Sequence, residues 1–298
     1  MRLKGIYRDK SLMVKFLILL CVIISSVFIH VMFANVIAYL FFDSAGELIF
    51  NSNLQDKNSI NYLKLVQLFT SIGFFIFPIL FYSYLTNLNL YFKRYLNRQS
   101  IILVASIMLL IVPFISLLLQ WNSSIVFPKW LTQYDINSSH IIEAFLQMDS
   151  IYDLIINLFL LAVIPAIGEE LFFRGYVQQT LINKYINKHS AILVTAFIFS
   201  LFHLDFAGLI PRFFLGALLG YLFLWSKNIW IPIIAHFINN GQAVLIAYIS
   251  SGSKDKIDKF GYSISNELDI DLSIAFFSFT SVILLLFMFY KLQKVIKQ

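Results

Sequence analysis

Charge is scarce in this sequence. Only 13% of the 298 residues are Asp, Glu, Lys or Arg, where a soluble domain carries about 25%. That shortage excludes an ordinary soluble globular protein and a charged disordered tail. Cysteine is rarer still. Cys21 is the only one, so no intrachain disulfide and no cysteine-based zinc site can form. No internal repeat, low-complexity segment or Pro- or Gly-rich linker interrupts the chain. The inverted repeat common among secondary transporters is absent. So are Gly-x-Ser-x-Gly and His-Glu-x-x-His, the marks of a serine hydrolase elbow and a zinc-protease helix.

What fills the chain is apolar. Hydrophobic residues make up 59% of it, with 32 Phe and 15 Tyr, and the mean hydropathy is +0.80. A membrane-spanning helix needs roughly 20 apolar residues, so this content suffices for about eight spans. Eight apolar segments are read: 14–42, 62–85, 101–119, 150–168, 191–204, 208–225, 229–249 and 272–290. The first is too long for the apolar part of a secretory signal, and no small-residue cleavage site follows it. The fifth is short, and the turn at Leu204–Gly208 pairs it with the sixth. The expected fold is all-α, a polytopic membrane bundle of about eight helices.

The net charge of +6 is the positive-inside bias of such a protein, not a nucleic-acid surface. Arg2, Lys4, Arg8, Lys10, Lys15, Lys93, Arg94, Arg98, Lys184, Lys188, Lys227, Lys291, Lys294 and Lys297 fall on one side of the eight spans. Lys57, Lys129, Lys254, Lys256 and Lys259 fall on the other, among Asp43, Glu47, Asp56, Asp135, Asp255, Asp258, Glu267, Asp269 and Asp271. This split places both termini in the cytoplasm and requires an even number of spans. Residues 120–141 and 250–271 read as outer loops. Asn122-Ser123-Ser124 and Asn137-Ser138-Ser139 match the glycosylation pattern, a match too common by chance to carry weight.

Ionisable groups within spans are costly and mark function by default. Four clusters lie between 165 and 240. Glu169 and Glu170 end an apolar run, and Arg174 shares a helix face with Glu170 four residues on, so those two can pair. Glu169 is rotated about 100° away and is left free to act as a general base. Phe199 and His203 share a face in the fifth segment, and His236 and Asn240 share one in the seventh. Asp205 and Arg212 flank the short turn and read as a structural or gating pair. A bland reading exists for each cluster: an interfacial Glu–Arg pair, a hydrogen-bonded His at a span end, an interhelical hydrogen bond from His236 or Asn240. Taken together they supply a base for water, a group to orient it and donors for an oxyanion. His30, His140 and His189 fall outside this set.

Glu169-Glu170-x3-Arg174, Phe199-x3-His203 and His236-x3-Asn240, in this order and spacing, resemble the three motifs of the CPBP (Abi) family, the CAAX prenyl proteases and bacteriocin-processing enzymes. The resemblance covers roughly residues 150–247. It divides the chain into residues 1–140 with three spans and no signature, a catalytic core over 141–250, and an outer loop with the last span over 251–298. It implies an intramembrane endopeptidase. In that family the residues matching Glu169 and His203 activate water, those matching His236 and Asn240 form the oxyanion hole, and those matching Glu170, Arg174 and Phe199 support the site. The residue chemistry agrees with hydrolysis by a Glu-activated water. No cofactor is required by the pattern, and zinc held by Glu and His side chains is the alternative. The implied partners are membrane lipids and a membrane-associated protein or peptide substrate, with no nucleic acid. The expected place is a bacterial cytoplasmic membrane, with the site open to the cytoplasm. Two other functions compete: a non-catalytic scaffold or bacteriocin-immunity protein, and an ion-coupled transporter using the same buried groups.

Overall fold

The computed structural model describes residues 3–42, 54–93, 95–251 and 271–296, and these contain helices and no strand. We number the principal helices α1 (Leu12–Phe41), α2 (Lys57–Thr86), α3 (Arg98–Leu110), α4 (Val112–Ser123), α5 (Lys129–Phe145), α6 (Ile151–Ile182), α7 (Lys188–Phe202), α8 (Leu209–Ser226), α9 (Trp230–Ser251) and α10 (Leu272–Ile296). Their starts are written in short polar side chains that accept the first free backbone N–H groups. Asp56 accepts from Ser59 N (2.8 Å), and that bond holds its carboxyl below the usual carboxylate range. Asn97 accepts from Ser100 N, Asn187 from Ser190 N, and Ser150 and Asp153 close a reciprocal capping box.

Each of the eight apolar segments falls on helix. Six helices are long and apolar enough to cross a membrane, and α3 with α4, bent by 41°, makes a seventh. The fifth segment gives α7, which has only 15 residues. The chain turns at Leu204–Gly208 as expected. Residues 120–141, expected as an outer loop, are helical except at residues 124–128. Pro128 precedes the first turn, and no Gly or Pro interrupts the segment after it. The 250–271 loop lies outside the described residues except at its ends.

Proline shapes the spans. Pro113 breaks the α3–α4 pair, and the carbonyls near the break are taken by side chains: Gln242 donates to Met108 O and Ser278 to Leu110 O. Pro78 and Pro165 follow π-helical stretches at Ile72–Ile76 and Leu158–Val163, and a third covers Leu171–Gln178. Such widened turns absorb a missing N–H and recur at functional sites.

The two largest apolar cores among the described residues hold the bundle. One joins Val104, Ile107 and Met108 of α3 to Leu218 and Leu222 of α8, Ala235 of α9, and Val282 and Phe289 of α10. The other joins Leu19 of α1, Ile79 and Tyr82 of α2, and Ala166 and Leu171 of α6 to Phe223 and Ile233. Helices α6, α8 and α9 thus meet at the centre. α1 lies outside, exposing Phe28, Met32, Phe33 and Tyr39 as a lipid-facing helix does.

Candidate active site

The polar residues of the three motifs converge where α6, α7 and α9 meet. Glu169 and Glu170 sit at the junction between an α-helical turn and the third π-helical stretch of α6. His203 caps the C-terminus of α7, and His236 and Asn240 lie one turn apart on α9. Phe199 is at the centre. Its ring stands edge-on to His203 (centroids 4.8 Å) and to His236 (5.9 Å). The Arg174 guanidinium lies 4.8 Å from its centroid, a cation–π contact.

Glu170 and Arg174 are fully buried and paired, as their spacing predicts. Arg174 Nη1 donates to Glu170 Oε1 (2.8 Å), and Nη2 donates to the Gly216 carbonyl of α8 (2.9 Å). His236 Nδ1 also meets Glu170 Oε1 at 2.8 Å. Sequence reasoning missed this link, because no spacing within one helix reports a contact between two. The same holds for Gln178, whose Nε2 donates to Gly220 O one turn beyond Gly216. The small-x3-small pattern Gly216-x3-Gly220 was the available signal for close packing there.

Hydrogen bonding fixes the tautomers. A carbonyl only accepts, so His203 Nδ1, 2.9 Å from Phe199 O, carries the hydrogen. Glu170 Oε1 already accepts from Arg174, so His236 Nδ1 donates to it. With Nδ1 so committed, either ring, when neutral, presents an Nε2 lone pair. Both point at one atom: Glu169 Oε2 is 3.7 Å from His203 Nε2 and 3.9 Å from His236 Nε2. That oxygen is buried and has no hydrogen-bond partner among the described residues. Three acceptors facing one another need hydrogens between them, supplied by water or by a proton on one member.

Asn240 makes an interhelical hydrogen bond. Its Nδ2 donates to Leu161 O (3.2 Å), and its Oδ1 accepts from Asn239 Nδ2 (3.1 Å). Pro165, four residues after Leu161, has no N–H to give that carbonyl. One Nδ2 hydrogen of Asn240 remains for another acceptor.

Phe199, His203, His236, Asn239 and Asn240 line a cavity of about 360 Å³ with Arg212 and an apolar wall that includes Met108, Ile142, Leu146, Leu161 and Leu215. Glu169 is not on this wall and reaches it through the two His. Asp205 and Arg212 pair as read, with Arg212 Nη2 on Asp205 Oδ2 and Nη1 on Asp205 O (3.1 Å). The other His residues lie apart. His30 bonds Ser26 O (2.8 Å) within its own span. His140 faces Glu143 (3.5 Å) and His189 bonds the Tyr221 hydroxyl (3.0 Å), both from helices.

Residues 151–242 match the family described as Rce1-like, type II CAAX prenyl endopeptidase. Over this segment the chain is similar to the CPBP family. The membrane-embedded CAAX protease MroQ of Staphylococcus aureus (strain USA300) is 28% identical over 100 residues, 32% of this chain and 40% of that protein. The chain thus matches well under two thirds of that relative's length. No solved structure matches this chain. The matched segment contains every residue of the three motifs and lies within residues 141–250.

Among the described residues, no group of three or more His, Cys, Asp or Glu side chains is arranged to hold a metal ion. Zinc bound at about 2.0–2.2 Å in a tetrahedron sets ligand atoms roughly 3.3–3.5 Å apart. The Glu169–His203 and Glu169–His236 separations of 3.7 and 3.9 Å are wider.

Proposed function

We propose that this protein is an intramembrane endopeptidase that hydrolyses a peptide bond of a membrane-associated protein or peptide with a Glu169-activated water, without a metal. The observation that carries this reading is the convergence of His203 Nε2 and His236 Nε2 on Glu169 Oε2. The family match and the relative's name support it.

In the proposed reaction a water hydrogen-bonds to Glu169 and to the His203 Nε2 lone pair. Glu169 takes its proton as the oxygen attacks the scissile carbonyl, and later returns a proton to the leaving amine. The second Nδ2 hydrogen of Asn240 donates to the oxyanion, a contribution of about 3 kcal/mol in other acyl-transfer enzymes. His236 can donate beside it only as imidazolium, since its Nδ1 hydrogen is committed to Glu170; that carboxylate stabilises the charge. Arg174 holds the Glu170 carboxyl in place for this role through their shared bond. The apolar wall around Leu161 and Leu215 favours an apolar stretch of substrate, of CAAX type or from a leader or bacteriocin precursor. We place the cavity mouth on the cytoplasmic side of a bacterial membrane.

The test compares new protein termini in membranes holding the wild type or Glu169→Gln, with folding checked by gel filtration in detergent. Termini that depend on the wild type, and fall at least ~10²-fold in the variant, establish proteolysis and give the cleavage sequence. A chelator leaves them unchanged under the proposed mechanism and abolishes them under a zinc mechanism. If both proteins fold, the native host's substrates are present and no terminus depends on Glu169, the protease reading fails in favour of a scaffold or immunity protein.

A further inference from the structure

We propose that Asn122 is a positioning residue for the active site: from the end of α4 it holds the turn that carries His203 and Arg212. The inference rests on the active-site reading above.

Helix α8 begins badly by itself. Its N-cap is Gly208, which offers no side chain to the first free N–H groups. Asn122 supplies the acceptor from another helix, with Oδ1 receiving Ile210 N at 2.8 Å. The same amide's Nδ2 donates to Phe206 O at 2.8 Å. One side chain therefore grips an acceptor and a donor four residues apart on the turn. Asn122 is fully buried, so water does not compete for either bond.

The turn needs holding. Leu204 takes a left-handed backbone (φ 49°), costly for a branched side chain. Within the turn, Asp205 accepts from Gly208 N and pairs with Arg212, and Ser200 Oγ ties back to Leu209 O. Those bonds shape the turn, and the Phe206 ring packs against Phe127. Asn122 adds two hydrogen bonds that tie the turn to α4. His203 enters the turn at one end and Arg212 leaves it at the other, and both face the cavity. A shift of the turn moves His203 Nε2 relative to Glu169 Oε2. With both amide ends engaged and no exposure, the Asn122-Ser123-Ser124 pattern is not a glycan acceptor.

The experiment uses the full chain in detergent or nanodiscs with ¹⁵N-labelled histidine. Asn122→Ala removes both bonds. Asn122→Asp keeps the acceptor for Ile210 N and removes the donor to Phe206 O. The readouts are thermal unfolding, the ring-nitrogen shifts of His203 at fixed pH (assigned with His203→Gln), and the kcat and KM of Glu169-dependent cleavage. We expect Asn122→Ala to fold, to shift the His203 signals while those of His30 and His189 stay, and to lower kcat by up to about 10²-fold with KM nearly unchanged. Asn122→Asp falls between it and the wild type. A folded Asn122→Ala with unmoved His203 signals and unchanged kcat overturns the proposal. If Asn122→Ala does not fold, the same null result in Asn122→Asp overturns it. If the wild type shows no Glu169-dependent cleavage, the protease reading fails, and the His203 signals still decide whether Asn122 positions that ring.

Discussion

Burying Arg174 and Glu170 completely inside an apolar bundle is tolerable because the two charges pair directly and three of their five charge-bearing atoms are hydrogen-bonded; Glu170 Oε2 and Arg174 Nε have no such partner among the described residues. Glu170 Oε1 accepts from Arg174 and His236, and Arg174 also donates to Gly216 O and lies over Phe199. Removing one partner leaves a buried charge uncompensated, which costs about 3–5 kcal/mol, whereas removing both charges costs much less. Arg174→Met is therefore expected to destabilise the protein by that amount, and the Arg174→Met/Glu170→Gln double variant to recover most of it. Denaturant unfolding in micelles measures both, and equal losses in the two variants would contradict this account. The pair illustrates what one sequence discloses at this scale. Glu170–Arg174, Phe199–His203 and His236–Asn240 are each four apart, so one turn of helix places them on one face. The Glu170–His236 bond and the Asn240–Leu161 bond cross between helices, and their register passes through π-helical turns that shift the phase of α6. No periodicity encodes that shift.

Helix α8 approaches its neighbours closely enough that two of its glycines have no room for a side chain. A Cβ at Gly216 would sit 3.1 Å from the Ala196 Cα of α7, and one at Gly220 would sit 2.8 Å from Ile192 Cγ2 and 3.0 Å from Gln178 Oε1. Backbone cannot give way as a flexible side chain can. Gly216→Ala is expected to cost about 1–3 kcal/mol through overpacking. It also moves the carbonyl that Arg174 bonds, so it reaches the site. Gly241 on α9 provides the opposite case, since a Cβ there meets its nearest atom at 3.8 Å. Gly241→Ala is expected to be neutral or to stabilise by up to about 1 kcal/mol, because alanine favours helix over glycine. Unfolding midpoints of the two variants should move in opposite directions, and a shared direction would rule out close packing as the cause. The helices themselves were legible from apolar length. The lip of α4 and the start of α5 were not, because Trp121, Ser123, Pro128 and their neighbours read as loop by polarity, while amphipathic helix needs only one apolar face.

At the scale of the molecule, the open quantity is the number of passes, and it turns on α7. Fifteen residues rise about 22 Å, short of a hydrocarbon core of roughly 30 Å. Its neighbours set its depth. α8 is tied at one end to Asn122, beside the exposed Trp121, and at the other to the chain before α3, where Lys93 donates to Ser226 O and Asn228 to Tyr95 O. It therefore covers the same depth as the α3–α4 pair. α7 runs back along it, with His189 on Tyr221 at one end and Ser200 on Leu209 at the other. A helix so pinned at both ends goes nearly as deep as α8, and the Leu204–Gly208 turn supplies the remaining distance. We accordingly expect eight passes, with both termini on the cytoplasmic side that the Lys and Arg distribution favours. The single native cysteine makes this testable: Cys21→Ser with a new cysteine at Lys4 or at Lys294 should react with a membrane-impermeant maleimide in inverted vesicles and not in right-side-out ones. Labelling of the two positions from opposite sides would mean seven passes. α7 would then be a re-entrant arm delivering His203 to Glu169 from the side it entered.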